Sequence, residues 1–144
     1  DVVRSGSLFV AAGDSGTIVT SPDGITWTSR TSGTTQRINS IAWSGAAFIA
    51  TTDANTASRV NLRSTDGVTW TTAVTSPPST GSIIWADSQF VASGSTGGTV
   101  VTSPDGITWT AYSIGSSSSG GRPAFNPDIA VLPVANQIYT NSNN

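Results

Sequence analysis

The stretch Ser21-Pro22-Asp23-Gly24-Ile25-Thr26-Trp27 returns as Ser64-Thr65-Asp66-Gly67-Val68-Thr69-Trp70 and again as Ser103-Pro104-Asp105-Gly106-Ile107-Thr108-Trp109. Its aspartates stand 43 and 39 residues apart. That period suits one four-stranded propeller blade, roughly 40–50 residues, and an internal repeat decides the architecture before any single residue does.

The flanks repeat as well. Upstream of each phrase lie an apolar doublet and a Phe: Val2-Val3-Arg4 with Phe9, Ile41-Ala42-Trp43 with Phe48, Ile83-Ile84-Trp85 with Phe90. A third short run follows each Phe, Thr17–Thr20, Val60–Arg63 and Thr99–Thr102. Runs this short, rich in Val, Ile, Thr and aromatics and separated by Gly, Asp, Ser and Asn, read as strands. No apolar stripe at three- and four-residue spacing marks a helix. The expected fold is all-β, with propeller-type blades of four antiparallel strands spanning about 1–35, 36–78 and 79–112.

The phrase itself reads as a type I turn joining the third and fourth strands of a unit. Ser opens the corner, Pro fixes φ at the second position, and Gly comes last, where φ turns positive. On this reading the Asp carboxylate accepts turn amides and the Trp packs against a neighbouring blade. Ser21, Asp23, Gly24 and Trp27, with Ser64, Asp66, Gly67 and Trp70 and with Ser103, Asp105, Gly106 and Trp109, are therefore structural turn residues.

At these residues the chain resembles the Asp-box, or BNR-like, repeats of sialidase-type and related β-propellers over about Asp1–Tyr112. The usual pattern, Ser/Thr-x-Asp-x-Gly-x-Thr-Trp, has one residue more between Asp and Gly. The nearer likeness is to the TSxDGxTWT variant of bacterial surface and phage structural proteins. The resemblance implies a propeller with its boxes on the blade periphery, and little about chemistry.

Composition sets the remaining limits. The 144 residues suit one domain, and His, Cys, Met, Lys and Glu are all absent, so charge comes from six Arg and eight Asp. Without Cys no redox compartment is implied. The Ser/Thr/Asn/Gly surface is associated with extracellular, cell-surface or virion proteins. A net charge of −2 gives no electrostatic drive toward nucleic acid, and no apolar run is long enough for membrane insertion. A start at Asp1 suggests a processed or truncated product.

Beyond the third unit the character changes. Residues 113–121 read as a Gly/Ser linker. Residues 122–144 read either as a degenerate fourth unit, Asp128-Ile129 echoing Asp1-Val2, or as an arm reaching a neighbouring subunit. Closed propellers use four to eight blades, so three units leave two raw flanks. Self-association, missing chain or the tail could complete the ring, and a homo-oligomer or larger assembly is expected.

Catalytic constellations find few of their parts here. Without His, Cys or Lys there is no Ser-His-Asp triad, thiolate nucleophile, zinc motif or phosphate-binding Lys. The sialidase resemblance implies a Tyr nucleophile assisted by Glu, and no Glu is present. No calcium-loop spacing appears, so neither metal nor cofactor is expected. Trp43 and Trp85 are core residues or sugar-stacking faces. In the middle unit Trp70 lies 22 positions after Phe48, against 18 and 19 for the matching pairs in the others. Insertions of this kind map to binding faces, which makes Asp53, Asn55, Thr56, Ser58 and Arg59 the candidate binding loop. The expected function is a non-enzymatic structural or recognition module for a glycan or protein receptor. The alternative is a fragment of a sialidase-like, glycan-processing propeller whose catalytic residues lie elsewhere.

Overall fold

The computed structural model describes residues 1–52, 60–73, 80–94, 99–113, 124–126, 129–134 and 137–142. The first unit contains β1 (Val2–Arg4), β2 (Phe9–Ala12), β3 (Ile18–Ser21) and β4 (Thr28–Arg30). The second contains β5 (Ile38–Trp43), β6 (Phe48–Thr52), β7 (Asn61–Ser64) and β8 (Thr71–Ala73). The third contains β9 (Thr80–Ala86), β10 (Gln89–Gly94), β11 (Thr99–Ser103) and β12 (Thr110–Ser113). Each unit is one antiparallel sheet whose strands neighbour one another in chain order. A fourth sheet, of three strands, is built from β13 (Ala124–Asn126), β14 (Ile129–Val134) and β15 (Gln137–Ser142). Among the described residues the one departure from strand and loop is a single 3-10 turn at Asp14–Gly16.

The first strands of the three blades, β1, β5 and β9, lie side by side, and the fourth strands are outermost. Strand alternation gives every blade two faces. One carries the Phe of the unit with its register partners, as in Phe9, Ala11 and Val19 or Phe48, Ala50 and Leu62. The other carries the residue after the Phe: Val10, Ile49 or Val91. The core forms where the second face of one blade meets the Phe face of the next. Val10, Ala12 and Ile18 of blade one pack with Ile41, Phe48, Ala50, Leu62 and Trp70 of blade two. Ala42 and Ile49 of blade two pack with Ile83, Phe90, Ala92 and Val101 of blade three. Each fully buried side chain of this size contributes about 1.5–3 kcal/mol, so the blades are held together chiefly by these two seams.

Polar bonds reinforce the inner strands. One carboxylate oxygen of Asp1, in blade one, accepts the Ser40 hydroxyl at 2.8 Å and the Ile41 amide at 3.1 Å, both in blade two. The Ser40 hydroxyl in turn accepts the Ile83 amide of blade three at 3.2 Å. Asp1 and Ser40 occupy the same place in their units, one residue before the apolar doublet, and each receives an amide from the next blade.

One detail differs from the reading of the phrase as a tight turn flanked directly by strands. Ile25-Thr26-Trp27 is not the start of the fourth strand: pairing resumes only at Thr28, opposite Thr20, so residues 22–27 form the connection. The same holds at Thr71 and Thr110. The physical reason is that the Asp side chain captures the amides of the two residues after Gly, which removes them from the ladder.

Candidate functional site

The three corners are built alike. Ser21 Oγ donates to Asp23 Oδ1 at 2.8 Å and accepts the Gly24 amide at 2.8 Å, while the same Oδ1 accepts the amides of Ile25 and Thr26 at 2.8 Å each. In the second corner Asp66 Oδ1 takes the Ser64 hydroxyl at 2.9 Å and the amides of Val68 and Thr69 at 2.8 and 2.7 Å. In the third, Asp105 Oδ1 takes the Ser103 hydroxyl at 3.0 Å and the amides of Ile107 and Thr108 at 2.8 and 2.9 Å. Donors stabilise the ionised form. The Thr26 and Ile25 amides accordingly hold Asp23 down to about 2, and those of Thr69 and Val68 do the same for Asp66. Asp105 is lowered by its Thr108 and Ile107 amides. Oδ1 of each carboxylate is thus directed at its own loop, where it closes the corner.

What differs among the corners is their surroundings. Gly24, Gly67 and Gly106 share a φ of +77°, +74° and +75°, yet Gly24 is exposed while Gly67 and Gly106 are buried. A Cβ on Gly67 would lie 3.0 Å from Leu8 and Val10, and one on Gly106 2.6 Å from Ile49 Cγ1. The second and third corners therefore seat their glycines on the preceding blade. Trp70 is 8% exposed, stacks near Phe48 with ring centroids 6.1 Å apart and donates its Nε1 hydrogen to the Gly67 carbonyl at 3.0 Å. Trp109 packs against the second core seam, whereas Trp27 is 40% exposed.

The other end of the blades holds a polar concavity of about 590 Å³, lined by Ser15, Gly16, Arg30 and the run Thr31–Gln36. Gly16 has a φ of +70°, and a Cβ there would overlap the Thr34 carbonyl and approach Ser32 Oγ to 2.9 Å. Ser32 Oγ accepts the Thr34 amide at 3.3 Å, and Thr34 Oγ1 accepts that of Gln36 at 3.1 Å. Arg30 Nε donates to Thr20 Oγ1 at 2.9 Å, which fixes its stem against β3. Beside it Arg37 pairs with Asp14 at 3.0 Å, both side chains well exposed. Sequence reading passed over this concavity. Its one signal is the Ser/Gly/Thr run between Arg30 and Gln36.

The candidate binding loop, with Asp53, Asn55, Thr56, Ser58 and Arg59, lies outside the described residues. Its base is described: Thr52 Oγ1 donates to the Val60 carbonyl at 2.7 Å and accepts the Val60 amide at 3.3 Å. Antiparallel pairing puts the end of β6 and the start of β7 at the same end of the blades as the concavity, opposite the corners. Trp43 and Trp85 are half-buried and packed on their own phenylalanines, with ring centroids 4.2 and 4.7 Å apart. They line an apolar axial groove of about 310 Å³ with the doublets of the three inner strands. Among the described residues no three His, Cys, Asp or Glu gather where a metal ion could sit.

No family model and no curated protein sequence matches the chain. Among solved structures it is similar to YCF48 bound to a D1 peptide, with a TM-score of 0.71 and 16% identity, covering 99% of this chain and 52% of that one. It is also similar to XC5397 from Xanthomonas campestris, described as a gluconolactonase important in glucose secondary metabolic pathways. There the TM-score is 0.64 at 11% identity, over 97% of this chain and 55% of that one. Both are β-propellers, and likeness at these identities shows the fold: this chain is built of propeller blades. It spans about half the length of either structure.

Proposed function

We propose that the chain is a non-enzymatic structural or recognition module, part of an extracellular, cell-surface or virion protein, that presents loops to a glycan or protein partner. The observation that carries this reading is the employment of the carboxylates. Asp23, Asp66 and Asp105 each commit Oδ1 to their own corner, Asp1 holds the next blade, and Asp14 is paired with Arg37. General acid–base or nucleophilic work needs a carboxylate directed at a substrate, and these are directed at the scaffold. The polar concavity at Ser15–Gln36, at the end where the 53–59 loop is anchored, is the surface the reading assigns to contact. The YCF48 structure, a propeller with a bound D1 peptide, supports a protein as the partner.

The experiment is paired. Glycan and peptide arrays probed with the purified chain are expected to show retention that falls at least tenfold when Thr34→Trp fills the concavity or residues 53–59 are shortened to Gly-Gly. Hydrolysis of fluorogenic glycosides or lactones by the chain, lost in Asp53→Asn, would overturn the assignment.

A further inference from the structure

We infer that Asp23, Asp66 and Asp105 are latent isoaspartate sites which the folded corner holds silent, with Asp23 the first of the three to convert. The chain has three Asp-Gly steps and no Asn-Gly step, and all three stand at the corners. In Asp-Gly a carboxyl group is especially open to attack by the next backbone nitrogen, because glycine has no Cβ to obstruct the approach or restrict the backbone. In that reaction the Gly nitrogen bonds to the Asp Cγ and gives up its proton, and one carboxyl oxygen departs as water. Water then opens the resulting succinimide ring at either carbonyl. One opening restores Asp. The other gives isoaspartate, whose backbone runs through the former side chain and is one methylene longer.

Each corner obstructs this reaction at both reacting groups. The nucleophile's hydrogen is held: the amides of Gly24, Gly67 and Gly106 donate to Oγ of Ser21, Ser64 and Ser103 at 2.8 Å each. The electrophile is tethered: in the first corner Asp23 Oδ1 accepts the Ser21 hydroxyl and the amides of Ile25 and Thr26. Turning the carboxyl group onto the glycine nitrogen breaks these bonds. Ring closure also needs a protonated carboxyl, since a carboxylate oxygen is a poor leaving group. A carboxyl titrating at about 2 rather than 3.8 is protonated roughly sixty times more rarely at pH 5. Conversion would dismantle the corner, because isoaspartate moves the carboxylate away from the amides it caps.

The blades rank the three sites. Ring closure swings the glycine peptide, and at two corners a neighbouring blade opposes that motion. Gly67 and Gly106 are buried, seated against Leu8 and Val10 and against Ile49. Trp70 also donates its Nε1 hydrogen to the Gly67 carbonyl at 3.0 Å. Gly24 is exposed, and among the described residues only the Phe9 ring lies within 4 Å of where its Cβ would stand. Ile25, the next residue, is 82% exposed. Corner one therefore resists the change with its local bonds. This inference is independent of the function proposed above.

The test incubates the full chain at pH 5, both folded and in urea beyond its unfolding transition. Isoaspartate is read at each corner by mass spectrometry, after digestion with a protease that cleaves before Asp and not before isoaspartate. In urea the three sites are expected to convert at similar rates. In the folded chain Asp23 and Asp66 are expected to be slower by about sixtyfold or more, with Asp23 ahead of both Asp66 and Asp105. Ser21→Ala removes the acceptor of the Gly24 amide and is expected to speed Asp23 about fivefold, the weight of one ordinary hydrogen bond. Asp66 and Asp105 in that variant are expected to keep their rates, which separates a local effect from general unfolding. Folded rates equal to those in urea overturn the proposal, and that comparison needs no variant. Unchanged or slower conversion of Asp23 in Ser21→Ala overturns the guarding role of the hydroxyl. Conversion of Asp66 or Asp105 before Asp23 overturns the ranking.

Discussion

Replacing the corner glycines one at a time separates what the turn requires from what the neighbouring blade requires. All three have φ near +75°, so Ala at any of them carries the same left-handed backbone strain of about 1–2 kcal/mol. Beyond that the sites diverge. At Gly24 the added Cβ comes no closer than 3.8 Å to Phe9, an ordinary contact. At Gly67 it stands 3.0 Å from Leu8 and Val10 and 3.1 Å from Phe48, and Leu8 is only partly buried and able to yield. At Gly106 it overlaps Ile49, whose Cγ1 is 2.6 Å away and whose side chain is fully buried. Overpacking of a closed seam costs about 1–3 kcal/mol, occasionally more. The expected losses are therefore about 1 kcal/mol for Gly24→Ala, about 2–3 for Gly67→Ala and about 4 for Gly106→Ala. The assay is urea unfolding followed by Trp emission, at unchanged m value. Equal losses at the three sites, or the greatest loss at Gly24, would refute the claim that corners two and three are seated on the blade before them.

Acid should unfold the chain through its corners. The folded carboxyls of Asp23 and Asp66 titrate at about 2 against an ordinary value of 3.8. The unfolded chain thus binds protons first, and the stabilisation is complete above about pH 5 and disappears as pH falls from 4 through 2. Thermal scans should be flat from pH 5 to 8, since no His titrates there, and Asp66→Asn should make the acid limb shallower. An acid limb as steep in Asp66→Asn as in wild type would remove the corners as its source. Ser40→Ala should cost about 1–3 kcal/mol, because the buried Ile83 amide loses its acceptor. Hydrogen exchange should quicken at Ile83, and unchanged protection there would show that the Ser40 bridge contributes nothing.

The corners were legible because their bonds are local. The side chains of Ser21 and Asp23 bond to groups within three positions, so a seven-residue phrase contains the whole device. The blade order was legible for a similar reason: strands of one sheet follow one another in the chain, and short Val/Ile/Thr-rich runs mark each of them. The concavity at Ser15–Gln36 was not legible. It arises where the connection between blades one and two folds over Gly16, and no periodic signal marks a close approach between residues 16 and 34.

The chain alone thus determined that blades form and how each corner closes, because those are contacts at short sequence separation. Only the tertiary structure decided which face of each blade is covered. Phe9, Phe48 and Phe90 are equivalent in sequence, and the second and third are buried while the first is half-open. Burial depends on the presence of a neighbouring sheet, and a repeated sequence reads the same whether or not that neighbour is there.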